Sequence, residues 1–113
     1  MLYTTFTVKD RDYKLRLNAK ACVDLEKKLG TNPVNIFMAM AGNDMKLPSL
    51  SDLITVLHFS LSAYEHGISA DKTYEIYDDF IEEGHSMTDL IPVIIDVYKV
   101  SGLIPEEVEE GKN

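Results

Sequence analysis

The feature that most constrains this chain is a change of period at Asn18. Before it, Leu2, Thr4, Phe6 and Val8 alternate with Tyr3, Thr5 and Thr7. Lys9-Asp10-Arg11-Asp12 interrupts the pattern, and Tyr13, Leu15 and Leu17 resume it against Lys14 and Arg16. Period-two alternation rich in β-branched and aromatic residues predicts strands, so residues 2–17 read as a β-hairpin with a charged turn. After Asn18 the spacing is helical, with Cys22, Leu25 and Leu29 at i, i+3 and i+7. Asn18 is a good N-cap and Gly30 a good C-terminal stop. Asp24 and Lys28 are placed to pair one turn apart on the outer side. Two strands alone are marginal in water, so the hairpin must lie on helices or join another sheet.

Four more helices follow. Asn32-Pro33 opens a short one over 34–40 that is apolar almost all round. "GNDMKLPS" is a loop. Ser49 and Asp52 form a capping box for a helix over 50–66, stopped by Gly67, with Asp52, Thr55, His58, Ser62 and Glu65 as its polar stripe. Ser69 caps a helix over 70–83 whose buried stripe is Ala70, Tyr74, Tyr77 and Ile81. Ser86 or Thr88 opens the last, with Pro92 in or just after its first turn and Gly102 at its end. The expected fold class is therefore α+β, mostly α: an N-terminal β-hairpin followed by about five helices. At 113 residues the chain supports one modest core. That core belongs to a single domain over 1–104, with hairpin 2–17 and helical part 19–102. Residues 105–113 read as an acidic tail with too little apolar surface to order itself.

A net charge of -8 argues against nucleic acid as a partner, since neutralising phosphates takes clustered Lys and Arg. Lys9, Arg11, Lys14, Arg16, Lys20, Lys27 and Lys28 all fall in the first quarter, where they make at most a weak basic face. With Cys22 as the single cysteine no internal disulfide forms, which suits a reducing compartment. No charged start followed by a long apolar run is present, so neither a signal peptide nor a membrane span is expected. A cytoplasmic protein is expected.

Candidate chemistry is sparse. Glu82 and His85 have the i, i+3 spacing of di-iron helix bundles, but such sites need a second copy of the motif and further inward carboxylates. His58 falls in a polar stripe and His66 sits beside a helix stop. Cys22 lies on an apolar stripe with no nearby base to activate it. Asp78, Asp79, Glu82 and Glu83 read as a solvated acidic face rather than a catalytic pair. No phosphate loop or Ser–His–Asp order is present. The expectation is a protein that is not an enzyme, with no cofactor and no metal.

Two features point instead to partners. The last helix carries Leu90, Ile91, Val93, Ile94, Ile95, Val97, Tyr98 and Val100, more apolar surface than one packed face needs. Either it is the central core helix, or a second face meets another chain. The short helix "VNIFMAMA" is methionine-rich, as adaptable binding surfaces often are. Candidate partner-binding residues are thus Phe37, Met38, Met40, Ile91, Ile94, Ile95 and Tyr98, with homo-oligomerisation expected.

The strand "YKLRLN", the helix closing "DLEKKLG", and the order of the following helices resemble the small tail assembly chaperones of long-tailed bacteriophages and of related prophages and gene-transfer agents. The resemblance covers nearly the whole chain and is carried by short motifs. It implies a non-catalytic protein of the bacterial host cytoplasm that binds the helical tape-measure protein and gives way as the tail tube polymerises around it. It also implies a longer form, made by programmed frameshift, that recruits tail-tube protein. Gly111-Lys112 is a dipeptide whose codons can form a slippery run. The residues by themselves leave other readings open: a small dimerising adaptor or regulator, or a helical ligand-binding domain or enzyme with a pocket between the third and fifth helices.

Overall fold

The computed structural model describes residues 2–41 and 46–106, with the side chains of Met40 and Ala41 outside that description. Most of the expected acidic tail therefore lies outside the described residues. The element order is a hairpin and then five helices, an α+β fold that is mostly α.

Strands β1 (Thr4–Val8) and β2 (Arg11–Leu15) pair antiparallel, with Phe6 opposite Tyr13 and Val8 opposite Arg11. The turn is shorter than the four-residue interruption in the sequence. It is Lys9–Asp10 alone, both left-handed at φ 52 and 63, the mirror-image turn whose twist matches the strands. A lysine is a costly choice there, and contacts with the fourth helix hold it. Its backbone N–H donates to Glu83 Oε2 at 2.9 Å and its ammonium to Glu82 Oε1 at 3.1 Å. The hairpin buries Phe6, Val8, Tyr13 and Leu15 on one face.

Helix α1 (Ala19–Leu29) is capped as its sequence requires: Asn18 Oδ1 accepts from the Ala21 N–H at 2.9 Å, and Gly30 takes φ 76. Asp24 pairs with Lys20 at 3.1 Å rather than with Lys28, which borders a cleft shared with the third and fourth helices. Helix α2 (Val34–Ala41) is short. Helix α3 (Leu50–Ser62) starts on the Ser49 cap but stops a turn before the sequence signal at Gly67. Beyond Ser62 the N–H groups of Tyr64 and Glu65 both turn back to the Leu61 carbonyl. That leaves the Ser60 carbonyl free to accept from Arg16 N–H at 3.1 Å.

Helix α3 is the centre of the molecule, packing against α1, β2 and both later helices. Leu53, Val56, Leu57 and Leu61 are all fully buried. Ser60 is buried as well, its hydroxyl returned to the Val56 carbonyl at 2.7 Å. Helix α4 (Ala70–Glu82) corrects the sequence reading. Its buried stripe is Thr73, Ile76 and Phe80, with Tyr77 only half-buried and Ala70, Tyr74 and Ile81 exposed. Both stripes have helical spacing, so the sequence could not choose between them. The choice falls to Phe80, which packs at a tilt against Phe6 of the hairpin with ring centroids 5.2 Å apart.

A 3-10 turn, Met87–Asp89, leads into α5 (Leu90–Val100). A reciprocal Ser86–Asp89 capping box closes its start. Leu90, Ile94, Val97 and Tyr98 are buried, and the Tyr98 hydroxyl donates to the Pro33 carbonyl at 2.8 Å, joining α5 to the entrance of α2. Among the described residues no helix is long and apolar enough to cross a membrane.

Burial raises the Tyr98 phenol above the ordinary tyrosine value, so the fold holds its neutral form. That contribution is complete below the ordinary value of about 10 and is lost as pH climbs from there towards the raised one. Tyr98→Phe strands the Pro33 carbonyl and should cost about 1–3 kcal/mol in denaturant unfolding at pH 7. The variant should also lose stability less steeply than the parent above about pH 10. Equal stability at pH 7 would show that the bond contributes nothing.

Candidate partner-binding surface

Chemistry first meets little here. Among the described residues no group of three or more His, Cys, Asp or Glu side chains is placed to hold a metal ion. Glu82 is taken up by Lys9, while His85 stacks on Phe80 at 4.3 Å and lies 3.6 Å from Asp89. His58 Nε2 is 2.9 Å from the Ile68 carbonyl. Burial, with Glu26 nearby, pushes the Cys22 thiol up, away from the reactive thiolate.

The N-terminal cations are likewise engaged inside the fold. Lys9 reaches Glu82, and Arg11 reaches both oxygens of Glu65 at 3.0 and 3.1 Å. Lys14 sits over the rings of Tyr3 and Tyr64 at 4.9 and 5.7 Å. Arg16 donates to the carbonyls of Leu2 and Val100, and Lys20 pairs with Asp24. Lys9 and Arg11 thus fasten the hairpin to α4 and to the chain after α3, whereas Lys20 pairs within α1.

What remains is apolar surface, and its richest concentration lies around α2. Asn32 Oδ1 caps the helix through the Val34 N–H at 3.0 Å, and Pro33 is buried against Tyr98. Ile36 is buried and Phe37 half-buried against the core, whereas Met38 is 56% exposed. After residues 42–45, Lys46 N–H returns to the Ala39 carbonyl at 3.2 Å, which brings Leu47 and Pro48 back beside the helix. Leu47 is 55% and Leu50 40% exposed. Between helix and returning chain lies a groove of about 370 Å³, floored by Ile36, Ala39, Leu47 and Pro48 with Asp52 and Lys46 at its rim. Met38, one turn after Asn35 in the groove wall, extends this surface along the helix.

The sequence-chosen residues therefore divide. Met38 is exposed on α2, Phe37 is half-buried against the core, and the side chain of Met40 lies outside the described residues. On α5 the expectation is corrected for Ile94 and Tyr98, which are 1% and 0% exposed and are core. They sit on the side of α5 that faces α3 and the start of α2, so no partner reaches them. Ile91 and Ile95 are half-buried. Sequence reasoning missed Leu47 and Leu50. Their signal was present in "KLPSL", two leucines in a segment otherwise read as loop and cap, where core packing has no claim on them.

The family model of a family of unknown function (DUF6096) matches residues 2–111, so the chain belongs to that family. No curated protein and no solved structure matches it.

The division of residues is measurable by thermal or urea unfolding. Ile94→Ala should cost about 2–5 kcal/mol as a buried deletion. Met38→Ala should change stability by about 0.5 kcal/mol or less. Comparable costs at both positions would mean that Met38 is covered.

Proposed function

With membership of DUF6096 as the premise, we propose that this chain is a tail assembly chaperone of the long-tailed bacteriophage type, non-catalytic and working in the host cytoplasm. Its client on this reading is the tape-measure protein, a long helical chain whose apolar faces need cover until the tube encloses them. The observation that carries the proposal is the groove beside α2, lined by the exposed Leu47, with Met38 exposed on the same helix and Leu50 exposed next to Ser49 of its lining. Exposed apolar side chains grouped around a groove suit an amphipathic helix laid in by its apolar face. Methionine at the edge suits many related helical turns rather than one sequence. The hairpin cations Lys9 and Arg11 are taken up by Glu82 and Glu65, so on this reading they are not the client-binding surface. The resemblance of "YKLRLN" and "DLEKKLG" to such chaperones supports the same reading.

A longer product extended past Gly111-Lys112 would carry a tail-tube-binding segment, tethered near the bound tape measure at raised effective concentration. That dipeptide lies outside the described residues. Its gene decides the matter: codons unable to re-pair after a one-base backward shift rule the longer form out.

Co-expression with a tape-measure protein, the client this reading names, provides the main test. The tagged chain should keep that protein soluble and co-purify with it. Met38→Asp combined with Leu47→Asp should leave the fold intact and reduce recovery of the complex by about tenfold, because each puts a charge into apolar contact. Undiminished capture by a folded double variant would remove the groove from the proposal. Failure of the parent chain to hold the client would remove the function itself.

A further inference from the structure

The hairpin has two outer edges, and the fold treats them differently. A two-residue turn makes Val8 and Arg11 a hydrogen-bonded pair, and bonded pairs then alternate along the ladder. On β2 the outward backbone groups therefore belong to Asp12, Lys14 and, just beyond the strand, Arg16. The Arg16 N–H bears this out by donating to Ser60 of α3; the outward groups of Asp12 and Lys14 make no such bond among the described residues, but charged side chains guard them. On β1 the outward groups belong to Thr5 and Thr7. Among the described residues no hydrogen bond reaches the backbone N–H or carbonyl of either, and both residues are exposed.

Open edges are normally guarded by charge, proline, a bulge or a covering segment. The strand "TTFTV" has no charged residue, no proline and an unbroken register. Its one flanking cation, Lys9, is held by Glu82 and Glu83. Beside its first half runs a groove of about 520 Å³, lined by Tyr3, Thr4 and Thr5 on the strand side and by Asp96, Lys99 and Glu106 on the other. That space gives a second strand access to the edge.

We propose that β1 pairs with β1 of a second copy of this chain, antiparallel about a two-fold axis at Phe6. Thr5 of each copy then stands opposite Thr7 of the other. Each such pair exchanges its N–H and carbonyl groups, so the two hairpins join into one four-stranded sheet with about four new backbone bonds. Two-fold pairing requires a patch that complements itself. A strand edge does so by construction, and the rim beside it carries both signs, so Lys99 of one copy can meet a carboxylate of the other. A partner strand of one charge would meet repulsion on one side of that rim. This inference replaces α5, whose Ile94 and Tyr98 are core, as the surface for self-association, and it stands independently of the chaperone reading.

Backbone amide exchange and solution mass, followed together on the full chain from about 10 µM to about 1 mM, test it in the range where a small interface associates. The mass should rise towards twice 12.7 kDa. Over the same range the Thr5 and Thr7 amides should slow about tenfold or more, while those of Phe6 and Val8, already in the ladder, change little. Thr5→Pro deletes an outward N–H without touching the β1–β2 ladder and should remain at the single-chain mass with unchanged helical circular dichroism. A parent chain that stays at 12.7 kDa throughout overturns the proposal. So does a dimer in which Thr5 and Thr7 exchange at the same rate at every concentration, a result that needs no variant to fold.

Discussion

The hydrogen bond from the Arg16 N–H to the Ser60 carbonyl joins two groups that their own elements leave unpaired. A helix ends with carbonyls that have no intrahelical partner, and an outer strand carries donors with none. Here the end of α3 and the end of β2 meet at 3.1 Å, and each completes the other. The bond places the hairpin against the helix that all the larger elements share. It needs a small side chain at the crossing, which is why a serine with its hydroxyl folded back onto Val56 occupies a fully buried site. Around this crossing Leu15, Leu17, Leu57 and Leu61 are all 2% exposed or less, each contributing roughly 1.5–3 kcal/mol of burial.

The same junction explains where the charges go. Once the hairpin lies on α3, its cations fall within reach of Glu65, Glu82, the Tyr3–Tyr64 ring pair and the carbonyls of Leu2 and Val100. Exposed ion pairs of this kind add little stability singly. Their consequence is positional: they fix the turn at Lys9 against α4 and the free face of the hairpin against the end of α3.

Function, on the reading proposed here, is then a matter of which apolar and backbone groups the packing leaves over. The α2 groove is left over because the chain returns beside α2 at Lys46 without filling the space between them. The β1 edge is left over because α3 meets the hairpin through Arg16, on the β2 side. Neither arises from a motif. Both follow from how few elements a chain of this length has available to cover one another.

Local signals in the sequence determined the elements: alternation up to Leu17, the Asn18 cap with the Gly30 stop, the Ser49 and Ser69 caps, and the turn into α5 all act over a few residues and all stand in the structure. The α2 surface at Met38 was legible for a similar reason, since an apolar helix all round must expose something. Tertiary structure alone decided which of two equally spaced stripes α4 buries, because Phe80 had to find Phe6 across some seventy residues of chain. It ended α3 early by giving the Ser60 carbonyl a strand as its partner. It also drew Ile94 and Tyr98 into the core, since the partners that bury them, α3 and the Pro33 carbonyl, come from distant parts of the chain. Periodicity reports that a face is apolar; only the position of the other elements determines what, if anything, covers it.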